Sequence, residues 1–143
     1  MRQLATLITT TTLCLSAWAG GEPPDPRGRW ITASGNLEVE VAPCGPALCG
    51  TATQVLANRS MSPDSNEPMQ PVDARPALGM KILIDFKPDP GEAGHWHGQI
   101  YNRETGKTYR CQMSIGQAGE LVLRPYVGLP LFGKTQVWQR VQP

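Results

Sequence analysis

Polar and apolar residues alternate along most of this chain with a period of two. The clearest run is from Trp96 to Ile115. Trp96, Gly98 and Ile100 alternate with His97, Gln99 and Tyr101, and after a polar turn ending in Gly106, Tyr109, Cys111, Met113 and Ile115 alternate with Arg110, Gln112 and Ser114. Successive side chains on a strand point to opposite faces, so this pattern predicts a β-hairpin with one face inward. Leu37, Val39 and Val41 alternate with Glu38 and Glu40 in the same way, predicting a half-buried strand with one wet face. Met80, Ile82, Ile84 and Phe86 are expected to share a face of another. Further strands are predicted at 28–32, 50–56, from Leu121, and at 134–141.

Turn signals at Ser34-Gly35-Asn36, Gly45-Pro46, 87–94 and Gln117-Ala118-Gly119 separate these runs. With about eight short strands and no helical period, the chain is expected to be all-β, either an up-and-down antiparallel barrel or a sandwich. Residues 57–79 stand apart: they carry four prolines and neither period, and a connection longer than ~15 residues inside a compact domain is either functional or mobile.

The N-terminus changes the cellular picture. Arg2, a short apolar run from Leu4 to Leu15 and Ala17-Trp18-Ala19 fit a secretory signal cleaved near Ala19. A lipoprotein signal at Cys14 fits less well, because Thr12-Leu13 makes a poor lipobox. No segment reaches the ~20 apolar residues that a membrane-spanning helix needs. Removing residues 1–19 from the 143 leaves 124, with a Pro-rich leader at 20–27 and one barrel domain at 28–143. The full chain has 13 basic and 12 acidic residues, and loss of Arg2 brings the mature chain to zero net charge. Nucleic acid and anionic membranes both select an excess of Lys and Arg, so neither is an expected partner. A periplasmic or secreted monomer is expected.

Cys44 and Cys49 flank a Gly-Pro turn, and in an oxidising compartment a loop-closing disulfide is the default for such a pair. A redox motif has two intervening residues rather than four, and no second cysteine pair completes a zinc site. Cys111 remains, in a pattern that suggests a buried thiol.

Gly28-x-Trp30 near the start and Arg140 near the end resemble the lipocalin/calycin signature, in which an early Trp is covered by an Arg from the last strand. Its members are closed barrels, and the signature implies that Gly28, Trp30, Trp138 and Arg140 close the barrel's base. A second resemblance is more extensive. Gly98-Gln99-Ile100-Tyr101-Asn102-x-x-x-Gly106-Lys107-x-Tyr109 and the run from Leu123 to Val141, with Leu48-Cys49-Gly50 upstream, are similar to the bacterial DUF2147 proteins. The resemblance implies a small exported β-barrel and brings no established activity with it. Arg103 stands where that pattern has a turn proline and Pro125 where it has glycine. The family's polar loop survives only as Asp64-Ser65-Asn66-Glu67-Pro68 and Arg75-Pro76-Ala77-Leu78.

Three kinds of chemistry are open to such a chain. His95 and His97 project from one face of a strand, a spacing used by metal sites, but further ligands would have to come from Asp85, Asp89, Glu92 or Met80. No serine lies in a nucleophile elbow, and a pair such as Asp64 and Asp73 does not define an acid–base site, so no enzyme and no cofactor are expected. A closed eight-stranded barrel is just wide enough to fill with side chains or to hold one small ligand. The leading expectation is therefore binding of a small apolar or amphipathic molecule, with Tyr101, Tyr109, Arg124 and Tyr126 at the mouth or pocket. The alternative is a protein-interaction or envelope-maintenance module acting through the 57–79 loop.

Overall fold

A computed structural model describes residues 24–142, so the expected signal segment and its cleavage site lie outside the described residues. Eight strands run in chain order: β1 (Gly28–Ile31), β2 (Leu37–Cys44), β3 (Ala47–Val55), β4 (Lys81–Pro88), β5 (His95–Asn102), β6 (Lys107–Ile115), β7 (Leu121–Tyr126) and β8 (Gln136–Arg140). Each pairs antiparallel with the next, and β8 returns to β1 through Trp30 opposite Arg140, closing the barrel. Closure leaves no strand edge unpaired. One end, the mouth, carries the β1–β2, β5–β6 and β7–β8 turns and the 57–79 loop. The other, the base, carries the remaining turns and the N-terminal residues.

The strand pattern explains the interior. Val39, Val41, Cys111, Met113, Leu121 and Leu123 all face inward and are buried, as alternation predicts. β4 departs from it. A bulge shifts the register between Ile84 and Lys87, with Asp85 at φ 51°. Leu83 turns inward at a second register shift, opposite Gly50 and Thr51 of β3, Met80, Ile82 and Phe86 are buried as expected, and Ile84 is only half-buried. A bulge adds one residue to one strand, so the period-two face assigned to Met80, Ile82, Ile84 and Phe86 breaks there. On β2 the predicted wet face is partly dry: Glu38 is buried and accepts a hydrogen bond from the Arg29 guanidinium at 3.1 Å. β2 and β3 also run further than expected, meeting at the two-residue Gly45-Pro46 turn. The Val127–Gly133 bend contains a single 3-10 turn, Pro130–Phe132.

Cys44 and Cys49 form a disulfide across the β2–β3 hairpin, with Cα atoms 5.7 Å apart. A loop this short restricts the unfolded chain only modestly, by about 2 kcal/mol. Reduction is expected to lower the denaturation midpoint while leaving a folded barrel. Chemical denaturation with and without reductant checks this, and loss of folding on reduction would contradict it. Cys111 is buried, and burial pushes its thiol up to about 12, so it is inert at neutral pH.

Candidate functional site: a lidded cavity at the barrel mouth

The interior divides into two halves. At the base, Trp30, Phe86, Leu83 and their neighbours fill the barrel. Towards the mouth, Leu37, Ile82, Ile100, Tyr109 and Trp138 instead line a cavity of about 130 Å3. Thr32, Ser34 and Asn36 of the β1–β2 turn, Tyr101, Asn102 and Arg103 at the end of β5, and Pro125 and Gln136 complete its walls, and Met61 and Met69 of the 57–79 loop cap it. A wider depression at the base, lined by prolines with Leu48, Phe86 and Trp96, is surface rather than interior.

The cap is held by hydrogen bonds from both sides of the mouth. On one side Asn36 is the anchor. Its carbonyl accepts from the amides of Leu56 and Ala57 at 2.7 and 3.2 Å, and its side chain exchanges two bonds with the Arg59 backbone at 2.8 and 2.9 Å. A buried amide so engaged fixes where the loop leaves β3. On the other side Glu104 accepts from the Ser60 hydroxyl at 2.5 Å and the Met61 amide at 2.7 Å. Its carbonyl accepts from the Val72 amide, and the Arg103 carbonyl from the Asp73 amide. Met69, Ala77 and Met80 are buried beneath.

A third contact closes the lid from above. The Tyr101 hydroxyl donates to Asp73 at 2.6 Å, and Arg75 pairs with the same carboxylate at 2.5 Å. The Arg75 guanidinium, with help from Tyr101, holds the Asp73 carboxyl well below the usual carboxylate range. A depressed folded value means the contribution to stability is complete above the unfolded value of ~3.9 and disappears only as pH falls towards the depressed one. Protection of the Val72 and Asp73 amides against hydrogen exchange, corrected for intrinsic rate, is therefore expected to stay level from neutral pH to about 4. Asp73→Asn should lower that protection at every pH. An unchanged Asp73→Asn profile would show that the latch does not hold the loop.

The residues expected from the sequence fall into separate places. Tyr101 and Tyr109 both line the cavity. Arg124 does not: it donates to the Pro130 and Leu131 carbonyls and to the Thr135 hydroxyl, tying down the β7–β8 connection. Tyr126 lies beside His97, Gln99 and Arg110 on the barrel's outside. At the base, the Arg140 guanidinium sits 4.1 Å from the Trp30 ring centre and donates to the Asp25 and Arg27 carbonyls. Gly28 leaves room for it, since a Cβ there would lie 2.8 Å from an Arg140 nitrogen. Trp138 shares the inner side of β8 but reaches the cavity. His95 and His97 pair separately, with Glu92 at 3.2 Å and Asp89 at 2.6 Å. Among the described residues, the one group of three potential metal donors within reach of each other is Cys44, Cys49 and Asp85, and its two sulfurs are already joined.

Asn36, Met69 and Arg103 carried no pattern signal as site residues. The isolated polar Asn36 between Gly35 and Leu37 reads as an ordinary turn, and Arg103 showed only as a departure from a turn proline.

A closed, up-and-down eight-stranded barrel with a lidded mouth defines this protein as lipocalin-like in architecture. The chain belongs to the family described as "Uncharacterized protein conserved in bacteria (DUF2147)", which it matches over residues 28–140. Among solved structures it is similar to HP1028 of Helicobacter pylori, described as belonging to the lipocalin family, with 19% identity over 82% of this chain and 84% of that one and a TM-score of 0.57. At that identity the likeness concerns the fold alone. No curated protein matches the chain.

Proposed function

We propose that this protein is a small-molecule binding module of the bacterial envelope, and that its ligand occupies the lidded cavity. The observation that carries the reading is the cavity itself: about 130 Å3 between apolar barrel residues and a loop tied down on both sides. Its size sets the ligand. A cavity of ~150 Å3 lined by apolar side chains holds benzene, so the occupant is ring-sized or a short chain rather than a long-chain lipid. Tyr101, Tyr109, Asn36 and Arg103 supply polar groups at the rim, which suits an amphipathic molecule. The disulfide supports an oxidising compartment and hence export.

The test is titration of the mature protein with ring-sized probes such as toluene and benzyl alcohol, followed by NMR. Shifts concentrated on the Trp138 indole and the Ile82 and Ile100 methyls are expected. Shifts confined to the base depression, or none, would refute the reading. Native mass spectrometry of periplasm-expressed protein would then identify the resident molecule.

A second reading, a protein-interaction module acting through the 57–79 loop, is favoured by one observation: Val72 and Leu78 are 73% and 61% exposed on that loop. Partners that still bind after Val72→Asp and Leu78→Asp together would exclude it.

A further inference from the structure

Arg103 is the unexplained residue of the cavity wall. It belongs to the β5–β6 turn, lines the cavity, and places one guanidinium nitrogen 3.3 Å from the sulfur of Met69. A thioether is a weak acceptor, and a guanidinium carries five donors and no acceptor. The Arg103 Nε is buried with no hydrogen-bond partner among the described residues. The nearby carboxylates are committed elsewhere. Both oxygens of Glu104 are used by Ser60 and Met61, and Asp73 is shared by Arg75 and Tyr101. No ion pair to Arg103 exists among the described residues, and the half-buried side chain lines a cavity it shares with Met69, Ile100 and Tyr109.

A buried donor without an acceptor costs free energy, and a cation beside apolar walls costs more unless something opposite in charge meets it. The planar fork of an arginine matches a carboxylate through two parallel hydrogen bonds. We propose that the cavity's ligand is a small monocarboxylate whose ring-sized or short-chain apolar body fills the space between Leu37, Ile82, Ile100 and Trp138, with its carboxylate on Arg103. This rests on the cavity-binding reading above and narrows it from any small amphipath to an anionic one. Cavity size excludes a long tail, so a short-chain or aromatic acid is selected over a fatty acid that shares its headgroup.

Calorimetry on the mature protein separates these possibilities, using benzoate against benzyl alcohol, hexanoate against hexanol, and dodecanoate. Both short acids should bind at least about tenfold tighter than their alcohols, the ratio that one charge-assisted hydrogen-bond pair supplies. That ratio should fall towards one in Arg103→Gln and be partly kept in Arg103→Lys, and it should shrink with added salt. Alcohols that bind as tightly as acids, or an Arg103→Gln ratio equal to wild type, would overturn the carboxylate assignment and leave the cavity reading standing. Dodecanoate binding many-fold tighter than hexanoate would overturn the size limit. If no probe binds and the Trp138 fluorescence does not respond, both readings fall together. Should Arg103→Gln not fold, the wild-type comparison of acid with alcohol still decides the matter.

Discussion

Replacing Trp30 by alanine is expected to cost about 3–5 kcal/mol, the range for removing a buried tryptophan side chain. Trp30 is fully buried, and its role exceeds its area. Its indole N–H donates to the Pro26 carbonyl at 2.8 Å, and its ring carries the Arg140 guanidinium at 4.1 Å. Arg140 in turn holds the Asp25 and Arg27 carbonyls, so one side chain ties the N-terminal residues, β1 and β8 together at the base. Its loss opens a cavity, strands a buried carbonyl and loosens the seam that closes the barrel. Against a total stability of ~5–15 kcal/mol this is a large share, and thermal unfolding should move down by more than about 10 °C. Arg140→Met, which keeps some cover over the ring without the charge, should cost less. A Trp30→Ala protein that melts within about 3 °C of wild type would refute this account of the base.

Gly98→Ala should also destabilise, by about 1–3 kcal/mol, although it adds a single methyl group. A Cβ at residue 98 would lie 2.6 Å from the Ile84 carbonyl oxygen and 2.7 Å from the Phe86 ring. The ring is buried, and the carbonyl belongs to the bulged backbone of β4. β4 therefore has to move away from β5, or Phe86 has to leave its rotamer. Gly98→Val should be worse. Denaturant unfolding of both variants checks the order. An alanine variant as stable as wild type would mean that β4 yields more readily than its packing indicates.

Gly98 shows where sequence-level reading stops. Its place in the G-x-I-Y pattern marked it as part of the framework, but the reason for glycine is the Ile84 carbonyl and the Phe86 ring, whose position against residue 98 is set by the β4 bulge. The same limit applies to Ile84. Period-two alternation put it inside, but the two register shifts of β4 turn Leu83 inward in its place, with Phe86 inward as expected. Glu38 read as solvent-facing because a lone glutamate between valines usually is, while Arg29, which pairs with it, comes from β1. Of the four residues expected at the mouth, Tyr101 and Tyr109 line the cavity because they sit where β5 and β6 reach it. Arg124, on β7 opposite Gln112, is drawn instead to the carbonyls of its own β7–β8 connection, a local choice that no alternation pattern records.

The strands of the barrel are legible in the sequence alone. Strand alternation, turn residues and the paired cysteines act over a few neighbours, so the eight strands, the β2–β3 disulfide and the inward faces of β2 and β6 are written locally. The seam between Trp30 and Arg140 was legible through its resemblance to a known signature. The site arises from tertiary packing. The cavity exists because large side chains fill the base and stop short of the mouth, and because Asn36 and Glu104, far apart in the chain, hold opposite sides of one loop over it. Arg103 faces that space through the same arrangement. Such features depend on which distant segments meet, and a one-dimensional pattern of polar and apolar positions carries no record of that meeting.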